Sequence, residues 1–245
     1  MDTLAIQSAL AKLQYNVDVD GFYGPQTKKA IIAFQRDRGL VADGKVGPRT
    51  ADALRNAVTD QVFEGKIGLG TEFPTQAQVL SYKSVYGDPR GPGGSVVSKK
   101  WFTENVEYIK PPFKMNMGDT AITRIAFHKY AAPALMRVLV NLHDLANGSQ
   151  KELIHWGVTK FAGTFNYRPM RGLASLSMHS FAAAIDFDPA NNSLGDKTPR
   201  FAQFPQVLKA FADEGFMWGG DWNGNGRTDD ERRCDGMHWQ ATRRA

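Results

Sequence analysis

Apolar residues fall at helical spacing near the start of the chain. Ile6, Leu10 and Leu13 share one helix face, and Thr27, Ala30, Ile31 and Phe34 repeat the i, i+3, i+4, i+7 pattern before Gly39 closes the run. Thr50, Leu54 and Val58 open a third stripe. Between the stripes, Asp20-Gly21-Phe22-Tyr23-Gly24-Pro25-Gln26-Thr27 returns 23 residues later as Asp43-Gly44-Lys45-Val46-Gly47-Pro48-Arg49-Thr50, with five of eight positions identical. Asp-Gly supplies a tight turn, and Gly-Pro before Thr starts a helix, because proline at the first helical position gives up an N–H that the helix does not use. The pattern predicts an all-α three-helix bundle over residues 1–58. That stretch contains no His, Cys or Glu, so chemistry is expected elsewhere.

The periodicity fades from Thr59 to Gln76 through Gly65, Gly68, Gly70 and Pro74, which reads as a linker over 59–76. A second domain is expected over 77–245. Its opening is loop-like, with Tyr86-Gly87-Asp88-Pro89-Arg90-Gly91-Pro92-Gly93-Gly94 and a break at Pro111-Pro112. Helices are predicted from Ala131 to Ala146, with Leu135, Val138, Leu139, Leu142 and Leu145 as the stripe, and from Pro205 to Glu214. Short β-like runs at Gly163–Tyr167, Ala184–Phe187 and Met237–Gln240 complete an α+β domain with a small antiparallel sheet.

At 245 residues the chain has room for two cores, and 42% apolar with 22% charged residues excludes disordered and collagen-like classes. The net charge of +5 suits an anionic partner: nucleic acid, a membrane surface or a bacterial cell wall. Residues 1–58 hold eight Lys/Arg against six Asp/Glu, so the charge is spread along the chain, which weakens a nucleic-acid arm. The single cysteine, Cys234, rules out an intrachain disulfide scaffold. No run of about 18 apolar residues exists to span a membrane, and the N-terminus does not read as a signal peptide.

Two of the five histidines sit in distinctive surroundings: Ser177-Met178-His179-Ser180-Phe181-Ala182-Ala183-Ala184-Ile185-Asp186 and Asp235-Gly236-Met237-His238-Trp239. A catalytic zinc takes three protein ligands and keeps an open position for water, and His179, Asp186 and His238 can supply that set. Asp186 lies among apolar neighbours, where an ionised carboxylate is costly unless paired or metal-bound. Asp235, three residues before His238, can serve as general base and then general acid. Taken alone, a His near an Asp more often marks a structural hydrogen-bonded pair than a metal site. His128, His143 and His155 read as ordinary partly buried residues in or beside apolar helices, and Cys234 as a bystander thiol.

The doubled D-G-x-x-G-P-x-T pattern, with Ala30-Ile31-Ile32-Ala33-Phe34-Gln35 and Gly39-Leu40, resembles the three-helix peptidoglycan-binding domain of cell-wall hydrolases. Taken singly, its Gly, Asp and Thr residues read as turn formers; the resemblance points to the groove beside the two Asp-Gly loops for glycan. Ser-x-His with Asp seven residues after the His, then Asp-x-x-His-Trp, resembles the zinc D-Ala-D-Ala, or LAS, peptidases across about residues 80–245. That resemblance implies zinc ligands at His179, Asp186 and His238, and a catalytic base at Asp235. Phe165-Asn166-Tyr167-Arg168-Pro169-Met170-Arg171-Gly172 resembles the family's arginine-bearing strand, whose guanidinium steadies the oxyanion. The role falls to Arg168, with Arg171 competing for it and Ser177 a further substrate contact. The family usually has Gly where Ala182 stands, and a methyl group there is expected to shift the ligand strand slightly.

Asp221-Trp222-Asn223-Gly224-Asn225-Gly226-Arg227-Thr228-Asp229-Asp230-Glu231 resembles an EF-hand calcium loop. Asp221, Asn223, Asn225 and Arg227 occupy its early positions; Arg232 replaces the final Glu, with Asp230 and Glu231 as substitutes, so calcium and a solvated acidic loop are both open. Together the resemblances imply a modular bacteriophage endolysin: a monomer made in the host cytoplasm, released through a holin, bound to peptidoglycan and cutting the L-Ala–D-Glu bond with zinc. A D-Ala-D-Ala carboxypeptidase, a host wall-remodelling enzyme and a non-catalytic wall-binding protein are the alternatives.

Overall fold

The structure is a computed structural model that describes residues 2–51, 53, 54, 57 and 73–244. These fall into two compact units, one within Met1–Leu69 and the other within Gly70–Ala245. In the first, α1 (Thr3–Lys12) is capped by Asp2, whose carboxylate accepts the Ala5 N–H at 2.9 Å. Helix α2 (Pro25–Asp37) starts on proline, as the Gly-Pro signal predicts. Residues 48–51, 53, 54 and 57 are also helical; Val58 lies outside the described residues. Leu10, Ile31, Phe34 and Leu54 are fully buried between these segments.

Each copy of the repeat closes on a buried glutamine. Gln7 of α1 accepts the Gly21 N–H at 2.7 Å, and its amide nitrogen lies 2.8 to 3.0 Å from Asp20, the Phe22 carbonyl and Thr27. Gln35 of α2 accepts the Gly44 N–H at 2.9 Å and faces Asp43, the Lys45 carbonyl and Thr50 at 2.9 to 3.2 Å. The identical Asp, Gly and Thr of the two copies are therefore the partners of one side-chain amide, and their primary role is structural. Gly21 and Gly44, at φ 76° and 74°, hold the turns that aim their N–H groups inward.

The second unit begins earlier than expected. Residues 59–72 of the expected linker lie outside the described residues, but Phe73 is buried in the core and Thr75 caps α3 (Gln76–Leu80) in a reciprocal capping box with Gln78. Helix α4 (Lys99–Asn105) runs into β1 (Val106–Ile109), which pairs antiparallel with β4 (Ile125–His128). Strands β2 (Met115–Met117) and β3 (Thr120–Ile122) form a hairpin. Helices α5 (Ala132–Leu145) and α6 (Gln150–Trp156) follow. Leu145, expected on the buried stripe, is 46% exposed.

A four-stranded antiparallel sheet carries the rest: β5 (Phe161–Gly163), β6 (Ala184–Phe187), β8 (His238–Gln240) and β7 (Met217–Trp218), in that spatial order. The strand expected at Gly163–Tyr167 lies two residues earlier, because the pairing becomes irregular between Phe161 and Gly163 and Gly163 turns to φ 131°. Helix α7 (Pro205–Asp213) packs on this sheet, with Phe211 stacked on Trp239 at 4.4 Å between centroids. Period-2 alternation then divides the sheet. Ile185, Phe187 and Trp239 enter the core, and Asp186 and His238 turn to the other face.

Candidate metal centre

Register brings two of the expected ligands together. Asp186 on β6 sits directly opposite His238 on β8, which puts their side chains on one face at cross-strand distance. His179 comes from a 3-10 turn, Met178–Phe181, capped at its start by the Ser177 hydroxyl, which accepts the His179 N–H at 3.4 Å. The turn ends on Ala182 at φ 51°, in the left-handed region. That backbone conformation explains why glycine suits this position. The ligand atoms of His179, Asp186 and His238 all lie within 4.8 Å of one another. His238 Nδ1 is 2.9 Å from Asp186 Oδ1, and His179 Nε2 is 3.2 Å from both Asp186 Oδ2 and His238 Nδ1.

The outer ring nitrogens decide what this cluster wants. His179 Nδ1 lies 2.5 Å from the Thr164 carbonyl, and His238 Nε2 lies 3.1 Å from Gln240 Oε1. Gln240 turns that oxygen to the ring because its amide nitrogen donates to Gln76 and Thr242. Both outer nitrogens therefore carry N–H, and the inner two present lone pairs to each other and to a carboxylate. Such a meeting needs a cation, and the residues fit a metal. Burial lowers the His238 pKa, but hydrogen bonding and charge from Asp186, with Asp235 adding, raise it overall. Burial likewise works to raise Asp186, and hydrogen bonds from both histidines outweigh it, holding the carboxyl well below the usual range.

Asp235 differs from its neighbours in lacking a partner. Its Oδ1 is buried without a hydrogen bond, and burial pushes its pKa above the ordinary carboxylate value. Its backbone is fixed instead: Asp235 N–H donates to the Gly219 carbonyl at 2.7 Å and its carbonyl accepts the His238 N–H at 3.0 Å. Gly236 has no room for a side chain, since a Cβ there would sit 2.2 Å from Pro199.

Arg168 lies outside any helix or strand, and Ser180 holds its backbone on both sides. The Ser180 hydroxyl accepts the Arg168 N–H at 2.9 Å and donates to its carbonyl at 2.8 Å. Arg168, Arg171 and Ser177 line one cavity of about 360 Å³ with His179, Asp186, Asp235 and His238. Ser180, Gln240, Trp222 and Arg233 are further parts of this site that no motif announces. Of these only Gln240 leaves a signal, because His-x-Gln on a strand puts both side chains on one face.

The remaining candidates lie apart from the metal ligands. His128 is on a strand, fully buried with Nε2 unpartnered, and burial lowers its pKa to about 4. His143 is partly buried on α5, and His155 is exposed rather than partly buried. Cys234 is buried, and burial pushes its thiol up to about 11. In the 221–231 loop, side-chain oxygens turn to their own backbone. Asp221 accepts N–H groups of Gly224, Asn225 and Gly226 at 2.7 to 3.1 Å, Asn223 accepts from Asn225, and Asn225 accepts from Arg227. Asn225 also donates to Asp230, and Glu231 accepts the Asn223 N–H. Three carboxylates do not gather there among the described residues, so the calcium expectation finds no clustered acidic ligand set.

Residues 2–54 match the family model of a putative peptidoglycan binding domain, and residues 171–241 match that of D-alanyl-D-alanine carboxypeptidase. The two matches follow one another along the chain, a peptidoglycan-binding model at the N-terminal end and a D-alanyl-D-alanine carboxypeptidase-like model at the C-terminal end, in keeping with a modular architecture. The second match contains His179, Asp186, Asp235 and His238 and begins after Arg168. The pair supports a peptidase acting on peptidoglycan. No curated protein and no solved structure matches the chain. No helix among the described residues is long and apolar enough to cross a membrane.

Proposed function

We propose that the protein is a peptidoglycan hydrolase of the endolysin kind, in which a three-helix N-terminal bundle tethers the chain to the wall and the second domain cuts the L-Ala–D-Glu bond of the stem peptide. The observation that carries the reading is the pair of imidazoles whose outer nitrogens are both spoken for by oxygens, so that two lone pairs and a carboxylate converge. Zinc fits this donor set of two imidazoles and one carboxylate, and when bound it supplies a Lewis acid that polarises the scissile carbonyl and acidifies water. His179, Asp186 and His238 would hold it. Asp235, a carboxylate of raised pKa with an unpartnered oxygen, takes the proton of the attacking water and returns it to the leaving amine. Arg168, mounted on Ser180, steadies the oxyanion. The first domain raises the local concentration of substrate.

Cleavage inside the stem is favoured over D-Ala-D-Ala trimming because only an internal cut frees crosslinks from glycan. The test is digestion of Gram-negative peptidoglycan by the zinc-loaded protein, with Asp235→Ala as control and products identified by mass spectrometry. New N-terminal glutamate is expected. Free D-Ala with intact stems would replace the endopeptidase by a carboxypeptidase, and a zinc-free, inactive protein that still sediments with the wall would make it a binding protein.

A further inference from the structure

The cavity beside the metal ligands carries an excess of positive charge. Arg168, Arg171 and Arg233 line it against two carboxylates, Asp186 and Asp235, so it is cationic before any metal is added and more so with a divalent one. Several other arginines of this domain are paired, among them Arg137 with Glu214, Arg200 with Asp188 and Arg227 with Asp229. Among the described residues none of the three cavity arginines stands in an ion pair.

Arg233 is also held still. Both of its terminal guanidinium nitrogens donate to the Arg171 carbonyl at 3.1 Å, and its own carbonyl accepts the Trp222 indole N–H at 2.7 Å. Trp222 in turn lies 5.8 Å from the His238 ring, between centroids, so one connected wall runs from the metal ligands to Arg233. An exposed arginine fixed at both ends has already given up the side-chain freedom that binding an anion would otherwise cost.

We propose that Arg233, together with Arg171, is the receptor for a carboxylate of the substrate peptide on the residue that follows the scissile bond. The proposal rests on the peptidase reading and adds its selectivity: the substrate is an acidic peptide, and the same peptide with that carboxylate converted to a primary amide is rejected. Arg233 is the better residue to probe, because the charge of Arg171 also acts on Asp235.

The experiment uses the zinc-loaded full chain and two synthetic stem peptides that differ only in carrying D-glutamate or D-isoglutamine after L-Ala. Wild type is expected to favour the acid at least tenfold in kcat/KM, mainly through KM, as one charge-assisted contact requires. Arg233→Ala and Arg233→Gln should shrink that preference to about twofold, and Arg233→Lys, which keeps charge without the fork, should fall between. The same pair is titrated by calorimetry into zinc-loaded Asp235→Asn, with and without Arg233→Ala, to read charge-selective binding without turnover. Equal treatment of acid and amide by wild type, or a preference that survives Arg233→Ala, overturns the receptor. Selective binding without hydrolysis of either peptide overturns the peptidase reading and upholds the receptor; hydrolysis of both without selectivity does the reverse. Neither hydrolysis nor selective binding overturns both.

Discussion

The polar clusters of the two domains are built to opposite ends. Around Gln7 and Gln35 the amide oxygen has its N–H donor and the amide nitrogen its acceptors. Around His179 and His238 the outer shell is equally complete, through Thr164 and Gln240, but the centre holds converging lone pairs, an unpartnered Asp235 oxygen and arginines without acids. A saturated cluster can only hold the fold. An unsaturated one stores binding capacity for something that arrives later, at a cost in stability.

The sharpest break of this contrast is metal removal. Chelation should abolish hydrolysis and lower the melting temperature of the second domain, with both restored by zinc, and leave wall binding by the first untouched; calorimetry and a sedimentation assay read the two halves separately. Next, Asp235→Asn should lower kcat by about 10² to 10⁴ while making the protein no less stable at neutral pH. The sign follows from the raised pKa: a carboxyl shifted upward favours the fold at low pH and loses that contribution as pH rises through its folded value, so an uncharged replacement removes a penalty at pH 7. The same shift predicts that activity falls on acidification at a pH above the ordinary carboxylate value. Thermal melting and a pH–rate profile check the pair of statements.

On the saturated side, Gln35→Ala strands the Gly44 N–H and the partners around it. It should destabilise the first domain by on the order of 2–3 kcal/mol, reducing wall binding but not hydrolysis of a soluble peptide. Urea unfolding and sedimentation with peptidoglycan read it. The smallest effect is expected at Ala182, where glycine relieves a left-handed residue: Ala182→Gly should stabilise by about 1 kcal/mol in thermal melting, with activity retained. A loss of stability there would show that the methyl group packs usefully.

Helices α1, α2, α5 and α7 were legible in the sequence because their apolar residues repeat at helical spacing over two or more turns. Strand β6 was legible because Ala184-Ile185-Asp186-Phe187 places one polar residue in an apolar run. Strands of three or four residues near Pro111-Pro112 carry too little period to read. The repeat showed itself, but its glutamine anchors did not: Gln7 stands 13 residues before Asp20 and Gln35 only eight before Asp43, so no common spacing marks them. Of the site, the metal ligands and Asp235 lie in compact motifs. Ser180, Trp222 and Arg233 join only through tertiary contacts, which leave no local pattern.

Ser180 has a consequence for how precision is inherited. It is the immediate chain neighbour of His179 and grips the backbone of Arg168 by both its N–H and its carbonyl. A jolt that displaces the backbone of His179 therefore carries the backbone of Arg168 with it, as two tools bolted to one jig keep their spacing when the jig is moved. Alignment between the two need not be rediscovered at each turnover, and drift elsewhere in the sheet can accumulate over evolutionary time without spoiling it.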